Sequence, residues 1–467
     1  MSIGSLSRPV EGAPREGVDG YLLQSEADLA KAVTYAVERS TALGAGGAIA
    51  RVNEGGGISI TVANGEVENA VRDGNQSLQI TVFLDGRTGM ASTESLSRNA
   101  IDRVVEQAIS MARQLEPDEE AGLADRDTLA WDGPSVPLFA PSGHNAMELT
   151  DAAMAIEAAV KATATADAVR VSEAGAASQD ARFALATSQG FCRTGSSSMQ
   201  HRWCQTIAQR GDEMKQGHWA SSVRRIEELE SAEQVGHLAA KRALDMLGAE
   251  GLTTRRVPVL IDSTVASSLV RDMCGQLSGG AQFQRMTFLP DAMGQVLTTA
   301  HLSVTEDPFE PFGLASAAFD SEGVAGTRRD IIRDGVVKGL FLDTRMGRKL
   351  GRASTGNAGG MRNLALISSL TAPTDDLHAM LRKMGTGLWL TRFMGGGSNP
   401  ATGVYSRAAA GFWVENGQVT QAIQGFTVAG NLQEMFKAIV AVGADTYRDG
   451  AIRVGSILLP DMQIAGR

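Results

Sequence analysis

The sequence predicts an α+β fold: antiparallel sheets with flanking helices, in three sequential units that end in a large β-rich C-terminal domain. Three observations lead there. Asn-Gly and Asp-Gly pairs separate alternating apolar segments, the strongest short-range hairpin signal. Apolar residues recur at helical spacing in a few well-bounded stretches. Strands and helices come in blocks, without the regular alternation of a parallel sheet. The 467 residues suffice for about three ordinary domains.

Residues 1–20 show no periodicity and read as a flexible leader. In the first unit, 21–115, Ser25 to Asp28 has the form of a capping box, and Leu29, Val33, Ala36 and Val37 form one apolar face before Gly44. A meander follows, with turns expected at Asn64-Gly65, near Asp73-Gly74 and at Asp85-Gly86. Ile101, Val104, Val105, Ala108 and Ile109 then make a second amphipathic helix. The acid- and proline-rich stretch 116–142 reads as a linker.

The middle unit, 143–248, opens with a helix from Thr150 to Ala164, continues in alternating segments to about Arg225, and closes with a helix from Ser231 to Leu247. The C-terminal unit, 249–467, begins with the buried-strand pattern Val257 to Ile261. Ser263 is placed to cap the helix that follows, whose Val265, Leu269, Met273 and Leu277 share a side. Hairpins are expected at Asp334-Gly335 and Asn416-Gly417, and helices from Thr374 to Met384 and from Leu432 to Val442.

A hydrophobic content of 43%, a charged content of 21% and a net charge of −10 describe a globular protein and argue against a nucleic-acid partner, because no basic stripe is present. Cys192, Cys204 and Cys274 are an odd count at irregular spacing, which fits a reducing compartment better than a disulfide framework. No signal pattern opens the chain and no apolar run is long enough to span a bilayer, so a cytoplasmic location is expected, with no membrane partner.

Catalytic motifs are scarce. Metal-dependent hydrolysis needs two imidazoles on one helix face with a carboxylate beside them. The histidines, His144, His201, His218, His237, His301 and His378, do not offer that spacing. Cys192, His201, Cys204 and His218 are ligand-type residues, but their spacing matches no zinc module, and buried thiols with surface imidazoles are the simpler reading. No G-x-S-x-G elbow occurs, and Cys274 reads as an inert packed thiol. Asp307, Asp320 and Glu322, with Glu306 and Glu310, could form an acid/base pair or hold a hard cation, against the commoner reading of solvated loop acids.

Glycine is densest from Gly385 to Gly443. Gly385, Thr386 and Gly387 are followed by Gly395, Gly396 and Gly397, then by Tyr405, Ser406, Arg407, Gly411 and Phe412. Such density allows close approach of backbone to backbone or ligand, and hairpin turns are its simpler cause. Neither this stretch nor Ser354 to Gly360, which contains Thr355 and Asn357, is a phosphate loop, because no Lys-Ser or Lys-Thr follows the glycines. Their backbone amides could still hold a carboxylate or a peptide main chain.

Several of these blocks, in order, resemble the TldD/PmbA family and within it the PmbA (TldE) branch. They are Asn64 to Glu68, Gly89 to Thr93, Ala121 to Asp125, Phe319 to Val324, Ser354 to Gly360, Tyr405 to Gly417 and Val428 to Leu432, spread from about residue 25 to 460. In the TldD branch an HExxxH helix and a later cysteine hold zinc. At the corresponding helix this sequence has Val270 and Gly275 in place of the histidines and Arg271 in place of the glutamate, and no cysteine follows Cys274.

The resemblance therefore implies no metal and no catalytic residue in this chain, and zinc in a TldD-like partner. It implies a heterodimeric peptidase that processes or degrades unfolded peptides, such as peptide precursors and antitoxins, with a homodimer open to the isolated chain. The glycine-rich residues of 385–412, together with Thr355 and Asn357, are expected to line the shared cavity or the subunit interface. Two other functions remain open: a non-proteolytic regulatory adaptor of DNA gyrase or of a toxin–antitoxin system, and a stand-alone hydrolase with a carboxylate-bound ion.

Overall fold

The first two units are built alike, a repeat that was not evident in the sequence. The computed structural model describes residues 21–163 and 169–466. The leader expected over 1–20, and Ala164 at the end of a predicted helix, lie outside the described residues. The first unit runs α1 (Glu26–Ala42), β1 (Gly47–Ala63), β2 (Glu66–Leu84), β3 (Arg87–Thr93) and α2 (Arg98–Gln114). The second repeats the order with α3 (Ala146–Thr163), β4 (Val169–Thr187), β5 (Cys192–Arg210), β6 (Glu213–Val223) and α4 (Ala232–Leu244). Antiparallel pairing of β1 with β4, from Ile49↔Thr187 to Val62↔Ala174, joins them into one six-stranded sheet ordered β3-β2-β1-β4-β5-β6.

All four helices lie on one face of this sheet. Ala48, Ala50 and Val52 of β1 pack with the first pair of helices, while Ile60 and Val62, in the same phase of the same strand, pack with the second pair. Both contacts are closest at a glycine. A Cβ on Gly89 of β3 would stand 1.9 Å from the Ala108 carbonyl oxygen, and one on Gly217 of β6 would stand 2.1 Å from that of Ala239. Ser25 caps α1 as expected, accepting the Asp28 N–H and donating its hydroxyl to the Asp28 carboxylate.

The C-terminal domain holds β7 (Arg255–Ile261), α5 (Ser263–Gly275), α6 (Gly279–Phe283), β8 (Leu302–Asp307), β9 (Arg329–Arg333), β10 (Val336–Val337), α7 (Thr344–Lys349), β11 (Asn363–Ser368) and α8 (Leu377–Met384). It continues with β12 (Gly387–Ser398), β13 (Val404–Glu415), β14 (Gln418–Asn431), α9 (Leu432–Ala438), β15 (Ala441–Val442), β16 (Ile452–Arg453) and β17 (Ile457–Ala465). One sheet is β10-β9-β8-β11-β16; the other is β14-β13-β12-β7-β17-β15, and pairing of β14 with β17 closes five of its strands into a ring. The α+β class with antiparallel sheets therefore holds.

Asn64-Gly65, Asp85-Gly86, Asp334-Gly335 and Asn416-Gly417 turn as expected, with both residues of each pair at positive φ. Three expectations are corrected. Asp73-Gly74 does not turn: both residues stay extended inside β2, opposite Gly57 and Gly56, because β1 offers an unbroken partner. The helix expected from Leu432 to Val442 stops at Ala438, where the β-branched run beyond it is drawn into pairing with β17. Asp262, rather than Ser263, caps α5.

The segment expected as a linker, 116–142, is tied on both sides. The Ala130 N–H donates to the Gly323 carbonyl at 2.9 Å, the Ala325 N–H to that of Thr128 at 2.9 Å, and Phe191 stacks edge-on against Trp131 and Phe319.

Enlarging either contact glycine should push a helix off the sheet. Gly89→Val and Gly217→Val are each expected to cost about 1–3 kcal/mol or more. Gly251→Ala, whose Cβ would meet no atom within 4 Å, should stay within about 0.5 kcal/mol of the parent in denaturant unfolding.

Candidate functional site

A cleft of about 1580 Å³ separates the second unit from the C-terminal domain. One wall is β6, the edge strand of the large sheet, backed by α4; the other is the face of β12, β13 and β14 that carries Trp389 and Phe412, with the loop 445–447 at its side. Side chains from the C-terminal domain grip the β6 backbone. Arg392 Nη1 donates to the Gln216 carbonyl at 3.2 Å, the Tyr447 hydroxyl donates to that of Ala220 at 3.2 Å, and the Ser222 N–H donates to Asp449 Oδ2 at 3.0 Å.

Inside the cleft, Arg242 of α4 lies over the Trp219 ring, 4.4 Å from its centroid, and donates from Nη2 to Thr264 Oγ1 at 3.2 Å. Asp262 is fully used by its own chain: Oδ1 accepts the Thr264 N–H at 3.0 Å, and Oδ2 accepts the Trp389 indole N–H at 3.0 Å. Trp389 also stacks on Phe412 with centroids 5.2 Å apart. Burial, and then the neighbouring Arg242 cation, push the His218 imidazole below its usual range.

The glycine-rich residues divide when placed. Phe412 lines the cleft, as do Trp389 and Thr391 beside the predicted positions. Gly387, Gly396 and Gly411 instead admit neighbouring strands: a Cβ on each would meet the carbonyl oxygen of Pro258, Ser406 or Trp389 at 2.5, 2.3 and 2.0 Å. Gly385 turns at the end of α8 with φ +74°, and Thr386, Gly395, Gly397 and Ser406 stand on the surface away from the cleft wall. Tyr405 is buried, so it cannot line a cavity.

Arg407 packs over the Phe393 and Tyr405 rings and reaches Asp272 of α5, which also accepts the Ser398 hydroxyl at 3.0 Å. This contact anchors the β12–β13 hairpin. Thr355 and Asn357 close a loop rather than face a ligand. Asn357 Nδ2 donates to Glu306 Oε1 at 2.8 Å, while its Oδ1 accepts from Arg329 at 2.9 Å and from the Thr355 hydroxyl at 2.8 Å.

The proposed carboxylate site is saturated by its own chain. Asp320 accepts the N–H groups of Glu322, Val324 and Ala358 at 2.8, 3.0 and 2.9 Å, Glu322 accepts Thr344, and Asp307 pairs with Arg328 at 2.9 Å. Cys192 sits against Thr34 at the start of β5, far along the strand from Cys204, whose thiol burial pushes up to about 12. His201 stacks on Trp203. Among the described residues, no three His, Cys, Asp or Glu converge in a way that could hold a metal ion.

At the helix where the resemblance places a zinc motif, the donors do not fit zinc. Val270 is 0% exposed within the apolar core, Arg271 points to solvent, and no atom lies within 4 Å of where a Gly275 Cβ would be. A valine methyl and a missing side chain cannot coordinate an ion, and a guanidinium repels one.

Comparison with known proteins agrees with this architecture. Three domain families match in sequence order: PmbA/TldA metallopeptidase domain 1 over residues 48–112, the central domain over 141–247 and the C-terminal domain over 254–466. The chain is 38% identical over 449 residues to Metalloprotease PmbA of Escherichia coli O157:H7, covering 94% of this chain and 96% of that one. It is 35% identical over 455 residues to the Metalloprotease PmbA homolog of Haemophilus influenzae, with 97% and 99% covered. Two crystal structures share the fold. TldE from Thermococcus kodakarensis has a TM-score of 0.82 at 18% identity, covering 93% of this chain and 100% of that one. A candidate modulator of DNA gyrase from Bacteroides thetaiotaomicron has a TM-score of 0.86 at 23% identity, with 94% and 98% covered. The chain belongs to the PmbA/TldD metallopeptidase family, on its PmbA branch. Among the described residues, no helix is long and apolar enough to cross a membrane.

The grip on β6 should depend on pH. Burial, and then Glu230, push the Asp449 carboxyl up to about 6 from an ordinary 3.8, so protonation favours the folded state. The associated stability is present below about pH 4 and is lost as pH rises through about 6. Asp449→Asn, neutral at every pH, should therefore be more stable than the parent at about pH 8, by about 1 kcal/mol after allowance for solvent screening. Near pH 4 the two should match; a difference that stays constant in denaturant unfolding across this range would contradict the assignment.

Proposed function

We propose that this chain is the non-catalytic subunit of a two-chain peptidase: it binds a TldD-like relative that carries the zinc and helps to hold extended, unfolded peptides. The observation that carries the reading is α5, where a core valine, a solvent-facing arginine and a glycine occupy the motif positions. No proton-transfer or nucleophilic step is assigned to this chain, because its buried carboxylates are bonded to its own backbone and its buried thiols are held protonated, with Cys274 pushed up to about 12. Its part is structural: to complete an enclosed space beside the partner's metal and to present strand edges to substrate. The names of its relatives, Metalloprotease PmbA and its homolog, and the TldE structure of the same fold support the peptidase setting of this reading.

Co-expression with a family member bearing HExxxH tests it. The two chains should purify as an equimolar complex that hydrolyses a disordered peptide far faster than the sum of the separate chains, with the activity lost to a chelator. Separate elution of the two, or a partner equally active without this chain, would count against the proposal.

A further inference from the structure

The cleft has an unbalanced charge. Its acids are already committed: Asp245 pairs with Lys241, Asp262 caps α5 and holds Trp389, and Asp445 accepts the Ser456 N–H and hydroxyl. Of the cations, Lys241 is matched by Asp245 and Lys215 by Glu213, but the two arginines are less well matched. Arg242 has only a long ion pair, at 4.0 Å, to the already bonded Asp262, and among the described residues Arg392 pairs with no carboxylate and only meets the Gln216 carbonyl. Arg242 and Arg392 stand close enough to repel one another, and together with burial they favour the neutral form of His218 beside them. In a chain of net charge −10, two guanidinium groups, one without a carboxylate partner and one with only a distant one, in a concave site mark a place for an anion.

The main chain of β6 adds direction. In an antiparallel ladder a residue's N–H and C=O point to the same side, and the side alternates along the strand. Gln216, Ala220 and Ser222 all turn backbone groups away from β5, toward the C-terminal domain. His218 is in phase with them, so its N–H and C=O project into the cleft; among the described residues no side chain is bonded to either. An extended chain entering the cleft would pair with His218, between the contacts at Gln216 and Ala220, while its side chains met Trp389 and Phe412.

From this geometry we infer that the cleft is a binding site for the carboxylate of an extended peptide, held between Arg392 and Arg242 while the peptide main chain pairs with the open backbone of His218 in β6. The inference rests on the peptide-handling role proposed above and adds the chemistry that selects the peptide. Arg242, braced by Trp219 and Thr264, presents a fixed cation, and Arg392 supplies a second from the opposite wall. The carboxylate can come from a chain terminus or from an Asp or Glu side chain.

Fluorescence anisotropy with the full chain tests the site, using three fluorescein-labelled peptides of Gly, Ala, Ser and Leu: one with a free C-terminal carboxylate, one with a C-terminal amide, and one amidated with a single internal Glu. The free acid should bind about tenfold or more tightly than the plain amide. Arg392→Gln, an exposed position whose loss leaves the core untouched, should bring the free acid down to the level of the amide, and Arg242→Gln should do the same. Binding of the internal-Glu peptide as tight as that of the free acid would show that the site takes either kind of carboxylate; binding as weak as that of the amide would assign it to chain ends. Equal affinity for acid and amide, or a preference unchanged in both variants, would overturn the carboxylate inference while leaving peptide handling intact. If no probe binds, the site itself is refuted, and the subunit proposal is then judged by co-purification alone.

Discussion

The antiparallel pairing of β1 with β4 is the contact on which the rest of the molecule depends. Each α-β-β-β-α unit alone would expose one long strand edge, and a two-layer unit of that size buries little core. Joined from Ile49↔Thr187 to Val62↔Ala174, the two share one sheet, keep all four helices on one face and leave the other face to receive the C-terminal domain through Ile49, Leu185 and Phe191. The same pairing sends β6 to the far edge of the sheet. There its backbone meets the C-terminal domain side-on and forms a cleft wall instead of an internal ladder.

Within the C-terminal domain, polar groups that might suggest catalysis serve to hold loops. Glu306, 3% exposed, takes an ion pair from Arg329 at 2.9 Å and hydrogen bonds from Asn357 and Arg362. Leaving such a carboxylate unpaired in the interior would be costly, so the surrounding loop is ordered around it. Asp320 and Asp272 are occupied in a comparable way by backbone amides and by Ser398 with Arg407. In the cleft, Arg392 lacks this compensation and Arg242 has only a distant partner, which is why the cleft, rather than the carboxylate cluster, is the surface we propose for binding.

Much of the fold was legible because its signals are local. Of the five Asn-Gly or Asp-Gly pairs read as turns, four turn the chain, and the apolar faces of α1 and α2 are the ones buried. Asp73-Gly74 misled because a dipeptide cannot report the long partner strand that keeps it extended. The union of the first two units was hidden for a related reason: alternation shows which face of a strand is buried, not which strand lies beside it. At the site, the sequence points to Phe412 and offers His218 as a ligand-type residue, but Arg392 falls between two glycine-rich windows and nothing local marks Arg242 near the end of its helix. Their meaning comes from convergence across the cleft. Several glycines in the same region were conspicuous for a different cause, the close approach of strands within the ring.

The central proposal is that this chain supplies binding surface and leaves the hydrolytic centre to its partner, because α5 places no metal ligand at its motif positions. Metal content measures this most directly: the full chain, purified alone, exposed to zinc and passed through a desalting column, is assayed by elemental analysis. The account predicts far less than one zinc per chain. A single tightly retained zinc in each molecule would contradict it.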